Sequence, residues 1–116
     1  MMVVVSRGEV LVEKRPPSGI WGGLWSLPEA PAETDPAAWV ARALGLRAAS
    51  VDALAPFTHP FTHFTLEVTP WLVRIKRPAK SAAQPRAVWL QLQEAQAAAL
   101  PAPVKRLLAR QFAKGG

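Results

Sequence analysis

Residues 2–15 read Met-Val-Val-Val-Ser-Arg-Gly-Glu-Val-Leu-Val-Glu-Lys-Arg, and they predict the sheet on which the remaining elements pack. Met2–Ser6 is apolar and rich in β-branched residues, which predicts a strand. Arg7-Gly8 predicts a turn. In residues 9–15, Val10 and Val12 share one face of a second strand and Leu11 lies on the other face between two glutamates. The segment therefore predicts a β-hairpin.

The composition limits the chain to one domain and excludes several kinds of chemistry. The chain has 116 residues, half of them apolar and 19% charged, with no cysteine. This length suits a single core. The lack of cysteine excludes disulfides, thiolate nucleophiles, cysteine-ligated zinc and a cysteine-held iron–sulfur cluster within these residues. No apolar run is long enough to cross a bilayer, and the short apolar start lacks the flanks of a signal peptide, so we expect no membrane partner.

The charge favours a polyanionic partner without requiring one. Fourteen Lys and Arg against eight Asp and Glu give a net charge of +6. A basic chain of this kind fits nucleic-acid binding, but it fits an ordinary solvated surface equally well. Twelve prolines spread along the chain indicate many short elements rather than long helices.

The remaining pattern predicts strands with helices between and after them. Asp35 and Pro36 suit the start of a helix that Gly45 ends, with Val40 and Leu44 on its apolar face. Residues 64–76 alternate as a strand in which Pro70 marks a bulge or an edge. The predicted order is β-β-β-α-β-β-β-α, a mixed sheet with helices packed on it. The later predicted elements are a strand at 87–90, a short helix at 91–99, and a clear helix at 101–112 whose basic face is Lys105, Arg106, Arg110 and Lys114.

Four segments form a pattern that none of them carries alone. In chain order they are 10–16 (Val-Leu-Val-Glu-Lys-Arg-Pro), 19–28 (Gly-Ile-Trp-Gly-Gly-Leu-Trp-Ser-Leu-Pro), 59–64 (His-Pro-Phe-Thr-His-Phe), and Val88-Trp89 with 100–104 (Leu-Pro-Ala-Pro-Val). Jointly and in this order they resemble the C-terminal domain of MutY-type adenine DNA glycosylases. The resemblance covers nearly the whole chain, from Val4 to Leu108.

The resemblance implies both a fold and a place in a larger enzyme. It implies an α+β (α/β sandwich) architecture, the Nudix-like fold, as a single domain over residues 1–116. The glycosylase's helical catalytic domain, with its 4Fe-4S cluster, would lie outside these residues, so this chain is expected to be non-catalytic and to hold no cofactor or metal. The implied partners are that N-terminal catalytic domain and double-stranded DNA with 8-oxoguanine opposite adenine. The implied setting is base-excision repair in the bacterial cytoplasm.

The resemblance also implies the lesion-recognition residues. In the family, the loop matching Phe61, Thr62 and His63 reads Phe-Ser-His and approaches 8-oxoguanine, with His59 just before it. Thr62 keeps the hydroxyl of serine, and a hydroxyl can meet either the N7–H donor or the O8 acceptor that distinguishes 8-oxoguanine from guanine. From the residues alone, Phe61 is favoured as a core side chain before a strand, and each histidine as a structural hydrogen-bonding group rather than a metal ligand.

A working Nudix hydrolase is the main alternative, and the helix at 36–44 tests it. The Nudix box G-x5-E-x7-R-E-U-x-E-E-x-G-U places carboxylates on a helix to hold Mg²⁺. Aligning its closing Gly with Gly45 puts Trp39, Arg42 and Ala43 where carboxylates are needed. Residues 36–46 contain no Asp or Glu, and Glu29 and Glu33 lie only in the preceding loop. Pyrophosphohydrolase activity is therefore disfavoured.

Two further expectations concern the surface. The candidates for contact with the DNA backbone are Lys14, Arg15, Arg74, Lys76 and Arg77. A third functional alternative is a protein-docking domain, in which Trp21 and its neighbours would form an exposed apolar patch.

Overall fold

Strand β1 (Met2–Ser6) lies in the interior of the main sheet of the computed structural model, which describes residues 1–15, 22–31, 33–76 and 87–113. All five of its residues are buried, since side chains from both of its faces are covered. Val3 and Val5 belong to one core cluster, whereas Met2 and Val4 belong to the other. A strand covered on both faces needs apolar residues at every position, which explains the uninterrupted apolar run.

The strands form one six-stranded sheet and one separate hairpin. The order in the large sheet is β3-β2-β1-β7-β4, with β8 also paired to β2, and β5 pairs only with β6. The β1–β7 pair is parallel and the other pairs are antiparallel, so the sheet is mixed. The strands after β1 are β2 (Glu9–Lys14), β3 (Trp25–Ser26), β4 (Ala48–Ala53), β5 (Phe57–Pro60), β6 (Thr65–Val68), β7 (Trp71–Ile75) and β8 (Ala87–Gln91).

Helices cover the two faces of the large sheet. Helix α1 (Pro36–Trp39) continues as a π-helical segment over Val40–Leu44 and packs on the cluster that contains Met2 and Val4. Helices α2 (Leu92–Ala97) and α3 (Ala102–Ala113) pack on the opposite face. The predicted mixed sheet with helices packed on it is therefore confirmed. Among the described residues, no helix is both long and apolar enough to cross a membrane.

Local signals place the helix boundaries close to where the sequence predicts them. Pro36 is the first residue of α1, and Asp35 occupies the N-cap position, although its side chain makes no capping hydrogen bond. Gly45 ends the π-helical segment in a left-handed conformation, at a φ of 68°. Val104, Leu107 and Leu108 form the apolar stripe of α3, and each is at most 3% exposed. The apolar contacts of α3 orient it on the sheet.

The structure differs from the predicted elements in the middle of the chain. The segment predicted as one strand over residues 64–76 is two strands, because Thr69 and the buried Pro70 separate β6 from β7. Proline lacks the N–H that would continue a ladder. Strand β4 forms where the sequence shows an irregular, partly extended segment, because β7 supplies its backbone partners. Five strands therefore lie between α1 and α2, rather than the three predicted between the two helices of the expected order.

Candidate functional site

The β5–β6 hairpin leaves the main sheet at one end and carries the predicted recognition residues at its tip. It lies between β4 and β7 in the chain. The pair of Ala53 and Trp71 at the end of these two strands marks the place where it leaves the sheet. The Leu54 N–H donates to the Pro70 carbonyl at 3.0 Å, which closes the base of the hairpin. At that base Val68 is buried, and Phe57 packs against the core cluster on the α3 face. The hairpin is therefore anchored at one end and exposed at the other.

The two faces of this hairpin differ in chemistry. Phe57 pairs with Val68, and His59 pairs with Leu66, so four buried or half-buried side chains share one face. The alternating positions form the other face, which is exposed and mostly polar: Thr58, Pro60, Thr65 and Glu67. A two-stranded hairpin is marginally stable by itself. Phe57, which packs on the core, and the buried Val68 tie this one to the body of the domain.

At the tip, three aromatic rings contact one another in sequence. The Phe61 N–H donates to the Phe64 carbonyl at 2.7 Å and closes the four-residue connection. The rings of Phe61 and Phe64 stack with centroids 4.8 Å apart and planes at 21°. The ring of His59 meets Phe61 edge to face, at 4.9 Å and 79°. Both arrangements are favourable for aromatic pairs.

Thr62 and His63 project from the turn between the stacked phenylalanines, and both are exposed. The core position favoured for Phe61 is wrong, because its half-buried ring lies outside both core clusters and belongs to the tip. His59 is half-buried in its ring contact, so the two histidines occupy different environments. The structure thus brings all four predicted recognition residues to one end of the hairpin, with His59 on β5 and the other three in the turn.

The predicted DNA-backbone residues separate into two groups at opposite ends of the sheet. Val5 pairs with Val10, and this antiparallel register places Lys14 and Arg15 beside Met1, where the hairpin emerges. Val5 also pairs with Arg74, which lies at the far end of β7. Four residues of strand separate the two ends, a distance of roughly 13 Å along the sheet. Lys76 follows Arg74, and Arg77 lies outside the described residues.

The two arginines of this set that the structure describes pair with carboxylates, whereas Lys14 contacts an aromatic ring. Arg15 bonds Glu29, and Arg74 lies 3.3 Å from Asp52. Both pairs reduce the positive charge that these arginines offer to a phosphate. Lys14 is exposed, and its Nζ lies 5.6 Å from the centre of the Trp25 ring. Lys14 is therefore the candidate at the hairpin end of the sheet that keeps its charge available.

An acidic cleft lies beside the hairpin base. It has a volume of about 470 Å³ and lies between the start of β1, residues 29–34 and strand β6. Glu29, Glu33 and Glu67 line it together with the apolar surfaces of Met1 and Trp71. Near this cleft, burial raises the pKa of Glu13, and the charge of Glu29 raises it further while Arg15 lowers it. A cleft with three carboxylates is unfavourable for a phosphate group.

The α1 region shows no arrangement suited to binding a metal. At the three positions where a Nudix box needs carboxylates, Trp39 is half-buried in the core, and Arg42 and Ala43 are exposed. Within the described ranges, no group of three or more His, Cys, Asp or Glu side chains is placed to hold a metal ion. This helix therefore offers no set of carboxylates that could hold Mg²⁺.

Sequence reasoning missed two features of this site. The pattern predicts Phe64 only as the first residue of the strand at 64–76, whereas the structure makes it part of the aromatic tip. A signal was available, because aromatic residues lie on both sides of Thr62-His63 in a segment that reverses direction. The Arg15–Glu29 pair joins residues 14 positions apart. No local periodicity predicts a contact of that kind.

Comparison with known proteins identifies the family. The sequence model of the NUDIX domain matches residues 1–110. A curated relative, the adenine DNA glycosylase of Buchnera aphidicola subsp. Baizongia pistaciae, is 23% identical over 109 residues, which are 94% of this chain. The match covers 31% of that glycosylase, so the chain spans about a third of its length.

Solved structures agree with this assignment. The C-terminal domain of mouse MUTYH, solved in complex with human PCNA, superimposes with a TM-score of 0.75 at 26% identity, covering 98% of this chain and 85% of that one. The NUDIX domain of Shewanella oneidensis NrtR, solved with ADP-ribose, gives 0.73 at 13% identity, covering 99% and 85%, and shares the fold. The predicted resemblance to the glycosylase domain is confirmed, and the chain belongs to the NUDIX domain family.

Proposed function

We propose that this chain is the lesion-reading domain of an adenine DNA glycosylase, and that it recognises 8-oxoguanine opposite adenine through the β5–β6 tip. The observation that carries the proposal is the exposure of Thr62 and His63 on a turn braced by stacked rings. These residues match the family's Phe-Ser-His loop, and the similarity to glycosylase C-terminal domains extends over nearly the whole chain.

The chemistry of discrimination at this tip rests on hydrogen bonding. 8-Oxoguanine presents an N7–H donor and an O8 acceptor, whereas guanine presents a bare N7 acceptor. The Thr62 hydroxyl can accept from N7–H or donate to O8. When guanine replaces the lesion, a hydroxyl that donates to O8 faces only a C8–H and is left desolvated and unpaired, at a cost of about 1–3 kcal/mol. The braced turn holds the hydroxyl in place, so little ordering is needed on binding.

Binding to the duplex itself would depend on charge. Lys14 is exposed at the hairpin end of the sheet, whereas Arg15 and Arg74 already pair with Glu29 and Asp52. Phosphate contacts from few cations give modest affinity that falls with added salt. We place the catalysis of adenine removal, the 4Fe-4S cluster and the flipped adenine in a separate N-terminal domain, acting in the bacterial cytoplasm.

The test measures the affinity of the 116-residue chain for two fluorescent duplexes at low ionic strength. They differ only in 8-oxoguanine or guanine opposite adenine. We expect the lesion duplex to bind about 5-fold or more tightly, which is the lower end of the discrimination from one unpaired group. Thr62→Ala combined with His63→Ala should bring the two affinities together. Thr58→Ala is the matched control, because Thr58 is exposed on strand β5 of the same hairpin and lies outside the turn.

Two results would contradict the proposal. One is equal affinity of the unaltered chain for both duplexes. The other is a preference that survives in the double variant. Thr58→Ala should keep the preference, and its loss in that variant would show that any change in the hairpin abolishes discrimination.

The second candidate is a Nudix-type pyrophosphohydrolase, which membership of the NUDIX family favours. It predicts Mg²⁺-dependent release of phosphate or nucleoside monophosphate from nucleoside di- and triphosphates. The positions of Trp39, Arg42 and Ala43 argue against it, because none supplies a carboxylate. Turnover by the purified chain that is abolished by chelating Mg²⁺ would establish this candidate.

A further inference from the structure

Phe64 is a large apolar side chain kept at the surface, where the hydrophobic effect alone would not place it. It is 48% exposed. In the part of the chain that the structure describes, Val88 is the other strongly exposed large apolar residue, at 41%. Val88 lies on β8, which pairs with β2. In the sheet, β2 flanks one edge of β1, and β7, the strand that follows the hairpin, flanks the other edge. Single exposed apolar residues are common, so the surroundings of Phe64 decide its meaning.

The Phe64 ring is held rigidly from one side. Phe61 stacks on it with centroids 4.8 Å apart, and His59 supports Phe61 from the edge. The 2.7 Å hydrogen bond from the Phe61 N–H to the Phe64 carbonyl fixes the backbone between them. With one face covered and about half of the residue exposed, the opposite face of the ring is open to solvent. A flat, pre-positioned aromatic face loses little conformational entropy when another flat ring stacks on it.

We propose that the open face of Phe64 is a stacking surface for a nucleobase of the bound DNA, next to the base that Thr62 and His63 read. This inference rests on the proposed function and adds Phe64 to it, as a residue that stacks on a base rather than reading the lesion. Stacking is tolerant of base identity because every base has a π-face. Phe64 therefore supplies affinity, whereas the Thr62–His63 pair supplies the choice between 8-oxoguanine and guanine.

The surroundings of Phe64 favour a nucleobase over an apolar protein surface. Protein-docking patches are contiguous apolar areas of several hundred Å². The exposed residues next to Phe64 in the chain are instead polar: Thr62, His63 and Thr65. The chain carries a net charge of +6, and Lys14 is exposed at the same end of the sheet. An isolated aromatic face among hydrogen-bonding groups, on a basic domain, matches the mixture of flat rings, polar edges and phosphates in DNA.

The experiment compares Phe64→Ala and Phe64→Leu with the unaltered chain, using the same two duplexes. Each duplex also carries 2-aminopurine beside the 8-oxoguanine or guanine, whose fluorescence reports a change in base stacking. We expect Phe64→Ala to weaken binding to both duplexes by about 5- to 150-fold, the range for losing one base–aromatic stack. The lesion duplex should still bind more tightly than the guanine duplex, because the hydrogen bond from the Phe61 N–H to the Phe64 carbonyl is a backbone contact that remains in the variant. Phe64→Leu keeps apolar bulk but loses the flat ring, so it should weaken binding in the same direction and abolish the 2-aminopurine response.

Val88→Ala is the matched control, because it also removes an exposed apolar side chain but lies away from the tip. It should leave both affinities unchanged. Equal urea midpoints for the variants and the unaltered chain would show that folding is intact, as expected for exposed positions.

The outcomes separate this inference from the proposed function. If both duplexes bind equally but depend on Phe64, the stacking role holds and lesion reading fails. If the lesion preference is present and Phe64→Ala changes neither affinity, lesion reading holds and the stacking role is wrong. Full binding by Phe64→Leu would also overturn it, because apolar contact rather than ring stacking would then suffice. If the unaltered chain binds no duplex, both proposals are refuted.

Discussion

Replacing Val68 by Ala should open the β5–β6 hairpin far more often while the main sheet stays folded. Val68 is 7% exposed and pairs with Phe57 at the hairpin base, and β5 and β6 pair with no other described strand. The substitution removes two buried methyl groups, worth about 0.8 kcal/mol each, or ~1.6 kcal/mol together. This lowers the free energy of opening the hairpin by the same amount, a roughly 15-fold increase in the open population.

Hydrogen exchange of the backbone amides in β5 and β6 measures that population. The matched control is Val4→Ala, which removes the same atoms from a fully buried position in β1. It should lower the free energy of global unfolding in urea by at least ~1.6 kcal/mol. The cavity left in the core adds its own cost to the lost transfer free energy of the two methyl groups. It should leave exchange in the hairpin unchanged, because local opening does not involve β1.

The reasoning would be refuted if Val4→Ala accelerated exchange of the hairpin amides as much as Val68→Ala does. The hairpin would then open only when the whole domain unfolds. Its exposed tip would accordingly be as stable as the core rather than a separately opening unit.

Three other substitutions test the remaining parts of the fold. Leu108→Ala, at a position 1% exposed in the α3 core, should lower the free energy of unfolding in urea by about 2–5 kcal/mol, and a loss below 1 kcal/mol would mean that α3 is not packed as described. Gly45→Ala should cost about 1–2 kcal/mol because φ is 68° there, with Gly45→Asn less harmful; equal costs would argue against the left-handed conformation. Because burial and Glu29 raise the pKa of Glu13, its stabilising contribution is present below its ordinary value of 4.5 and is lost as pH rises through the raised pKa. Glu13→Gln should therefore unfold at a higher temperature than the unaltered chain at pH 7, with the difference vanishing below pH 4; a lower melting temperature at pH 7 would contradict this cause.

Some parts of the fold followed from local residue patterns. The hairpin of β1 and β2 was predictable because alternation and a Gly turn act within a few residues. The end of the helix at Gly45 was predictable for the same reason. The single strand predicted over residues 64–76 was wrong, because alternation continues in register through Pro70 even though the backbone ladder cannot.

The candidate site was predicted only in part. The resemblance pointed to Phe61, Thr62 and His63, and the hairpin places them together at one tip. The sequence did not reveal that Phe64 stacks on Phe61, because a turn had to bring the two rings face to face. Nor did it show that Arg15 and Arg74 pair with carboxylates, since side chains far apart in the chain meet only after folding.

The sequence by itself determined the strand character of β1, the end of the π-helical segment at Gly45 and the lack of a carboxylate set over residues 36–44. Each of these depends on residue type and on neighbours within one or two turns. Only the tertiary structure decided that β7 runs parallel to β1, so that Arg74 lies at the far end from the hairpin and Lys14 at the near end. Register between distant strands is set by burying both faces of the sheet at once, which is a property of the whole domain and of no single segment.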